Sequence, residues 1–181
     1  GFQQRFPKAF QKKNFVGVGL ACAGPLNVET GCLVHPVNFP GWKIVPIQKM
    51  LIAELQKRKI KTKVSFQNDA VAAAYAEGWI GAARNLQTFA VITVGTGIGT
   101  GILFQGRPVQ SHGMGSEFGH LIADNERIVN PENDLHPFSI EGIASGTGIL
   151  RKAKLMGFTG KTIEELVQVI EEGERKYLVL F

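Results

Sequence analysis

At 181 residues, with 44% hydrophobic and 19% charged residues, the chain is too apolar for disorder and long enough to bury a sizeable core as one large or two small domains. No run approaches the roughly 18 consecutive apolar residues of a membrane-spanning helix, residues 1–10 lack the apolar stretch of a secretion signal, and Cys22 and Cys32 alone argue against a disulfide framework or a four-cysteine zinc site. A reducing, cytoplasmic setting is expected, and the net charge of +5 is spread along the chain apart from Lys57, Arg58, Lys59, Lys61 and Lys63. The chain opens on glycine, at what reads as the end of a helix, so part of a longer product is expected.

The apolar run 15–20, broken by glycine and followed by Gly24-Pro25, predicts a strand entering a turn, with 32–37 pairing beside it. Pro46 opens a helix whose apolar face is Ile47, Met50, Leu51 and Leu55 and which ends near Arg58. Residues 63–66 predict a strand, and Asn68-Asp69 leads directly into an alanine-rich helix. Residues 89–94 and 101–104 predict a hairpin joined by a glycine-rich turn, and Gln105-Gly106-Arg107 marks another turn. One helix is expected over 141–153. Thr162 begins another, with Glu165 completing a capping box.

Residues 95–119 hold eight glycines, so backbone geometry matters there more than side-chain bulk. Alternating glycines at 95, 97, 99 and 101 let successive N–H groups turn toward one point, a concavity suited to phosphate oxygens, and threonine hydroxyls can add donors. The dinucleotide pattern G-x-G-x-x-G fails in every register, because Thr100, Ile102 or Phe104 stands where the last glycine belongs. The nucleotide P-loop fails too, since no Gly-Lys-Ser/Thr follows. A phosphate-binding hairpin and a merely tight turn are the readings left.

Asp69, between a strand end and a helix start, is a candidate general base, and equally a candidate helix N-cap. Glu117 and His120 lie three apart and would share a face if helical, although Gly119 opposes a regular helix; their spacing suits hydrogen bonding to a polar ligand better than metal binding. Asn38, before Phe39-Pro40-Gly41-Trp42, reads as a turn residue or a polar ligand contact. The basic run 57–63 reads as a solvated helix end and lacks the interleaved aromatics of a nucleic-acid surface, so no nucleic-acid partner is expected.

In this order the motifs resemble the ROK family of repressors, open reading frames and kinases, and within it the bacterial glucokinase-like sugar kinases. The resemblance rests on Gly24-Pro25 after a strand, Asn38-Phe39-Pro40-Gly41-Trp42, Asn68-Asp69-Ala70, the glycine run 95–101, Ser116-Glu117-Phe118-Gly119-His120, and Glu141 followed by Ser145-Gly146. It implies an α/β, actin-like or hexokinase-type ATPase fold with two lobes around a cleft, only part of it in this chain: residues 1–86 in the smaller lobe with the catalytic helix, and 87–181 in the larger lobe with the phosphate hairpin. It further implies ATP-dependent phosphorylation of a hexose, glucose to glucose 6-phosphate, with Mg2+. Asp69 would be the base. Asn38, Asn68, Glu117, His120 and Glu141 would hold the sugar, and Gly95, Thr96, Gly97 and Gly99 the transferred phosphoryl group. Homodimers are common in the family.

Two departures stand out. The family's cysteine-rich zinc segment after the histidine is absent, since residues 121–140 contain no cysteine, so no structural zinc is expected. Neither the amino-terminal Asp-x-Gly-x-Thr phosphate motif nor the carboxy-terminal glycine motif is present. The alternatives within the resemblance are a sugar-responsive transcriptional regulator, for which no helix-turn-helix is visible, and a non-catalytic sugar-binding module.

Overall fold

The structure, a computed structural model, describes residues 16–36, 39–110, 115–123 and 138–181. Three small sheets organise it. Strand β1 (Gly17–Cys22) pairs in parallel with β5 (Lys63–Asn68), Gly17 opposite Lys63 and Cys22 opposite Asn68. Strands β2 (Leu26–Asn27), β3 (Cys32–Val34) and β4 (Ile44–Val45) form an antiparallel meander. The expected pairing of 32–37 beside the first strand is therefore corrected: β3 lies between β2 and β4, and it stops where His35 turns to a φ of 47°.

Helix α1 (Ile47–Lys57) follows Pro46 and closes at Arg58, as its apolar spacing predicts. Its last-turn Lys57 pairs with Glu54 at 2.6 Å, and Lys59 takes a positive φ as the chain leaves the helix. Leu26, Leu33 and Phe66 form a buried cluster with Leu20, Val28, Val45 and Ile47 against it, which ties the meander to the parallel pair.

Strands β6 (Phe89–Val94), β7 (Ile98–Phe104) and β8 (Arg107–Pro108) make the third sheet. Gln105 and Gly106, with φ of 51° and 74°, supply the paired positive dihedrals that a two-residue hairpin turn needs. β7 is longer than expected: Ile98 already pairs with Val94, so Gly99 joins Gly101 as a strand residue and only 95–97 turn.

Helix α2 (Asp69–Ile80) lies on this sheet and also touches the parallel pair. Its contact stripe is Ala70, Ala74 and Gly78, spaced four apart so that they stack along one face. Opposite them stand Gly99 and Gly101. A Cβ on Gly101 would strike the Ala70 carbonyl and lie 2.8 Å from the Ala74 methyl, while one on Gly78 would lie 3.0 Å from the Phe89 ring. Small residues on both surfaces thus permit an unusually close approach, which buries Ala70, Val71, Ala74, Ile98 and Leu103.

The single helix expected over 141–153 is two: α3 (Ile140–Ala144) and α4 (Gly146–Leu155). Ser145 adopts ψ of 162°, and its hydroxyl accepts the Gly148 N–H at 3.0 Å, so a serine cap ends one helix and starts the next. Helix α5 (Ile163–Glu171) begins at the expected cap, the Thr162 hydroxyl accepting from the Glu165 N–H at 3.2 Å. Ala153, Phe158, Leu166 and Tyr177 form the core joining α4, α5 and a closing 3-10 turn, Arg175–Leu180. Among the described residues no helix is long and apolar enough to cross a membrane.

The close helix–sheet contact gives a direct test. Gly101→Ala should destabilise the fold by about 1–3 kcal/mol through overpacking, read from denaturant titration; an unchanged midpoint would mean that α2 does not press on β7 as described.

Candidate active site

The site begins where β5 ends. Asn68 is still extended, with ψ of 144°, and its side-chain oxygen accepts the N–H groups of Ala70 at 2.9 Å and Val71 at 3.1 Å. Asn68 is thus the N-cap of α2, and Asp69 occupies the first helical turn. Exposed there, with Oδ1 2.9 Å from the Ala70 N–H, the Asp69 carboxylate meets the positive end of the helix dipole. Its charge is felt by Cys22, the neighbour of Asn68 across the parallel pair: burial pushes the Cys22 thiol up, and Asp69 adds to the shift.

A second element brings Glu117 and His120. Ser116 holds a positive φ of 64° and donates its hydroxyl to the Val109 carbonyl at 2.9 Å. The Phe118 N–H donates to the Thr100 hydroxyl at 3.2 Å, and Gly119 lies flat on β7, where any Cβ would strike the Ile98 carbonyl. Pinned in this way, Phe118–His120 forms one 3-10 turn, which sets His120 Nε2 3.8 Å from Glu117 Oε2. Burial pushes the Glu117 carboxyl above the usual carboxylate range; His120 opposes that, while the negative charges of Glu141 and Asp69 reinforce it. Glu117 therefore senses both other carboxylates. The three come from elements far apart in the sequence and share one electrostatic environment.

The third element is the apex of the β6–β7 hairpin. Short β8 reaches only Leu103 and Phe104, so among the described residues no strand pairs with the outer edge of β7 at Ile98. Glu141 takes its place: Oε2 accepts the Ile98 N–H at 2.6 Å, and a Cβ on Gly97 would collide with that oxygen. From the other side, the start of α4 donates the Gly146 N–H to the Gly95 carbonyl at 2.8 Å and the Thr147 hydroxyl to the Thr96 carbonyl at 2.8 Å. The Gly95 N–H is spent on the Gly97 carbonyl at 2.9 Å. The N–H groups of Thr96 and Gly97 donate to no described residue, and Thr96 is exposed.

Asp69, Asn68, Glu117, His120 and Glu141 thus lie on elements that converge around the hairpin, and Asn38 falls outside the described residues. The glycines divide by role. Gly95 faces open space and Gly97 makes room for Glu141, whereas Gly99 pairs with Thr93 and would place a Cβ 2.7 Å from the Thr93 hydroxyl and 3.1 Å from Ala70. Gly99 and Gly101 therefore have a packing reason. Thr147 is the residue that sequence reading passes over; the signal was Ser145-Gly146-Thr147, a serine cap inside the supposed helix.

Both cysteines lie on β1 and β3 rather than after His120, His120 faces Glu117, and among the described residues no three His, Cys, Asp or Glu side chains could hold a metal ion.

The parallel pair, the three-stranded antiparallel sheet and the helix between them define the class, an actin-like, hexokinase-type α/β fold. The ROK hexokinase from Thermus thermophilus shares it with a TM-score of 0.74 at 31% identity, over 91% of this chain and 52% of that one. The chain belongs to the ROK family, whose model matches residues 4–177. It is similar to the glucokinase of Halalkalibacterium halodurans, 35% identical over 78% of this chain and 41% of the relative, and to that of Thermotoga maritima, 35% identical over 74% and 40%. A ROK family glucokinase from Streptomyces griseus, solved in complex with glucose and AMPPNP, has a TM-score of 0.60 at 28% identity, over 77% of this chain and 43% of that one. The chain spans about two-fifths of the length of these two glucokinases.

Because the fold favours protonated Glu117, that group's contribution to stability is full below the ordinary carboxylate pKa of about 4.3 and is lost as pH rises through the raised value. Glu117→Gln should therefore raise the melting temperature at pH 7 and leave it unchanged near pH 3.5. Equal shifts at both pH values would show that charge is not the cause.

Proposed function

We propose that the protein transfers the terminal phosphoryl group of MgATP to a hexose, glucose to glucose 6-phosphate, with Asp69 as the general base. The observation that carries this reading is the convergence of Asp69, Glu117 and Glu141 beside a hairpin apex with two N–H groups that donate to no described residue. The glucokinase names of its relatives support the same substrate pair.

A sugar hydroxyl has a pKa far above neutrality, so its proton leaves best during attack, to a carboxylate already in place. Asp69 suits that role: Asn68 caps the helix, and the exposed Asp69 carboxylate, anchored by Oδ1 on the Ala70 N–H, would turn its other oxygen to the substrate. Asn38, Asn68, Glu117, His120 and Glu141 would pair the remaining hydroxyls, since each one buried without a partner would cost about 1–3 kcal/mol. The Thr96 and Gly97 N–H groups would take the oxygens of the phosphoryl group, where fixed donors stabilise developing charge without reorganising. The reading includes a cytoplasmic setting, a homodimer and no structural zinc.

Two measurements on the full-length protein test it. Asp69→Asn should lower kcat by roughly 10²–10⁴-fold while changing the glucose KM only a few-fold, in a coupled assay run across a panel of hexoses. Near-normal turnover would remove Asp69 from the role. Elemental analysis should find well under one zinc per chain, and a stoichiometric, tightly held zinc would overturn the reading of the segment after His120.

A further inference from the structure

We propose that Glu141 is a positioning residue for the phosphate hairpin as well as a sugar ligand, so that one carboxylate couples the two substrate sites. The inference rests on the kinase reading of the same site and adds a route between its halves. Ile98 lies on the outer edge of β7, beyond the reach of β8, and its N–H would be unpaired in a largely buried position without Glu141. The Glu141 carboxylate supplies the missing acceptor with Oε2, and the absent Gly97 side chain leaves the space it fills. A charged acceptor on a backbone N–H makes a stronger bond than a neutral one and fixes the direction of the peptide beside it. That peptide joins Gly97 to Ile98, next to the unspent N–H groups of the apex. Oε1 of the same carboxylate is left for a sugar hydroxyl.

The arrangement has a second arm. Six residues further on, Thr147 holds the Thr96 carbonyl with its hydroxyl, and Gly146 holds the Gly95 carbonyl. Residues 95–98 are thereby gripped on both sides by the one segment that also carries the sugar-facing carboxylate. A sugar that orders Glu141 would order the apex with it, and the phosphoryl donor would meet a hairpin already set.

The test uses the full-length protein, with Glu141→Ala, Glu141→Gln and Thr147→Val. The readouts are amide hydrogen exchange across 95–99 and separate KM values for MgATP and glucose. Glu141→Ala should speed exchange at Ile98 and raise the MgATP KM by about tenfold each, besides raising the glucose KM. Glu141→Gln keeps an oxygen for the Ile98 N–H and should restore exchange and MgATP KM toward the parent values while the glucose KM stays high. Glucose should slow Ile98 exchange in the parent and not in Glu141→Ala. A glucose KM effect alone, with hairpin exchange and MgATP KM unchanged, would overturn the coupling. Should Glu141→Ala not fold, Thr147→Val decides: it should raise the MgATP KM several-fold and spare the glucose KM, and an unchanged MgATP KM would count against the grip. If the parent phosphorylates no hexose, the kinase reading fails on its own, while exchange at Ile98 still judges the hydrogen bond.

Discussion

The first two turns of α2 lie so close to β7 that no side chain larger than alanine fits between them. Everything at the site follows from that contact. Ala70 and Ala74 on the helix meet Gly99 and Gly101 on the strand, and the helix start is thereby brought against the strand that leads into the hairpin apex. Asp69 is one residue from the Ala70 contact, and Gly97 is two residues from Gly99. A larger residue on either surface would lift the helix and carry Asp69 away from the hairpin. Stability and chemistry thus draw on the same few missing carbon atoms, because burial in this seam depends on the approach that also aligns the site.

The electrostatics are arranged in the same economical way. Three carboxylates come together from the start of α2, the 3-10 turn and α3, and the negative charges of Glu141 and Asp69 add to the upward push that burial gives Glu117. Each has a distinct local partner. Asp69 has the positive end of a helix, Glu117 has His120, and Glu141 has a strand N–H that no other described strand satisfies. Glu117, whose carboxyl burial pushes up, is the one whose partner is a titratable imidazole at 3.8 Å rather than a fixed backbone donor. A cluster of this kind favours polar ligands that can share protons with it, as sugar hydroxyls do.

Much of this was legible in the sequence, for stateable reasons. Asn68-Asp69 before an alanine-rich run announces a helix start, but the expected cap, Asp69, yields that place to Asn68, whose side chain accepts from Ala70 and Val71. Glycine alternation pointed to the hairpin, but a sequence shows where a Cβ is missing and not what it would have met; so Gly99, grouped with the phosphate glycines, turns out to face Ala70. The pairing of β1 depends on a strand more than 40 residues away, which no local periodicity reveals. The break at Ser145 was readable as a cap and was masked by the apolar pattern running through it.

That break has a consequence for anyone who would transplant or redesign this loop. In an unbroken helix Thr147 would sit about 9 Å along the axis from Glu141 and could not share a target with it, given the rise of about 1.5 Å per residue. The kink folds the two back onto neighbouring peptides across a gap of 43 residues or more in the chain. The portable unit is therefore discontinuous. Grafting the glycine ribbon without its serine-kinked companion would move a shape without its mould, and an insertion of even one residue between the two grips would throw them out of step.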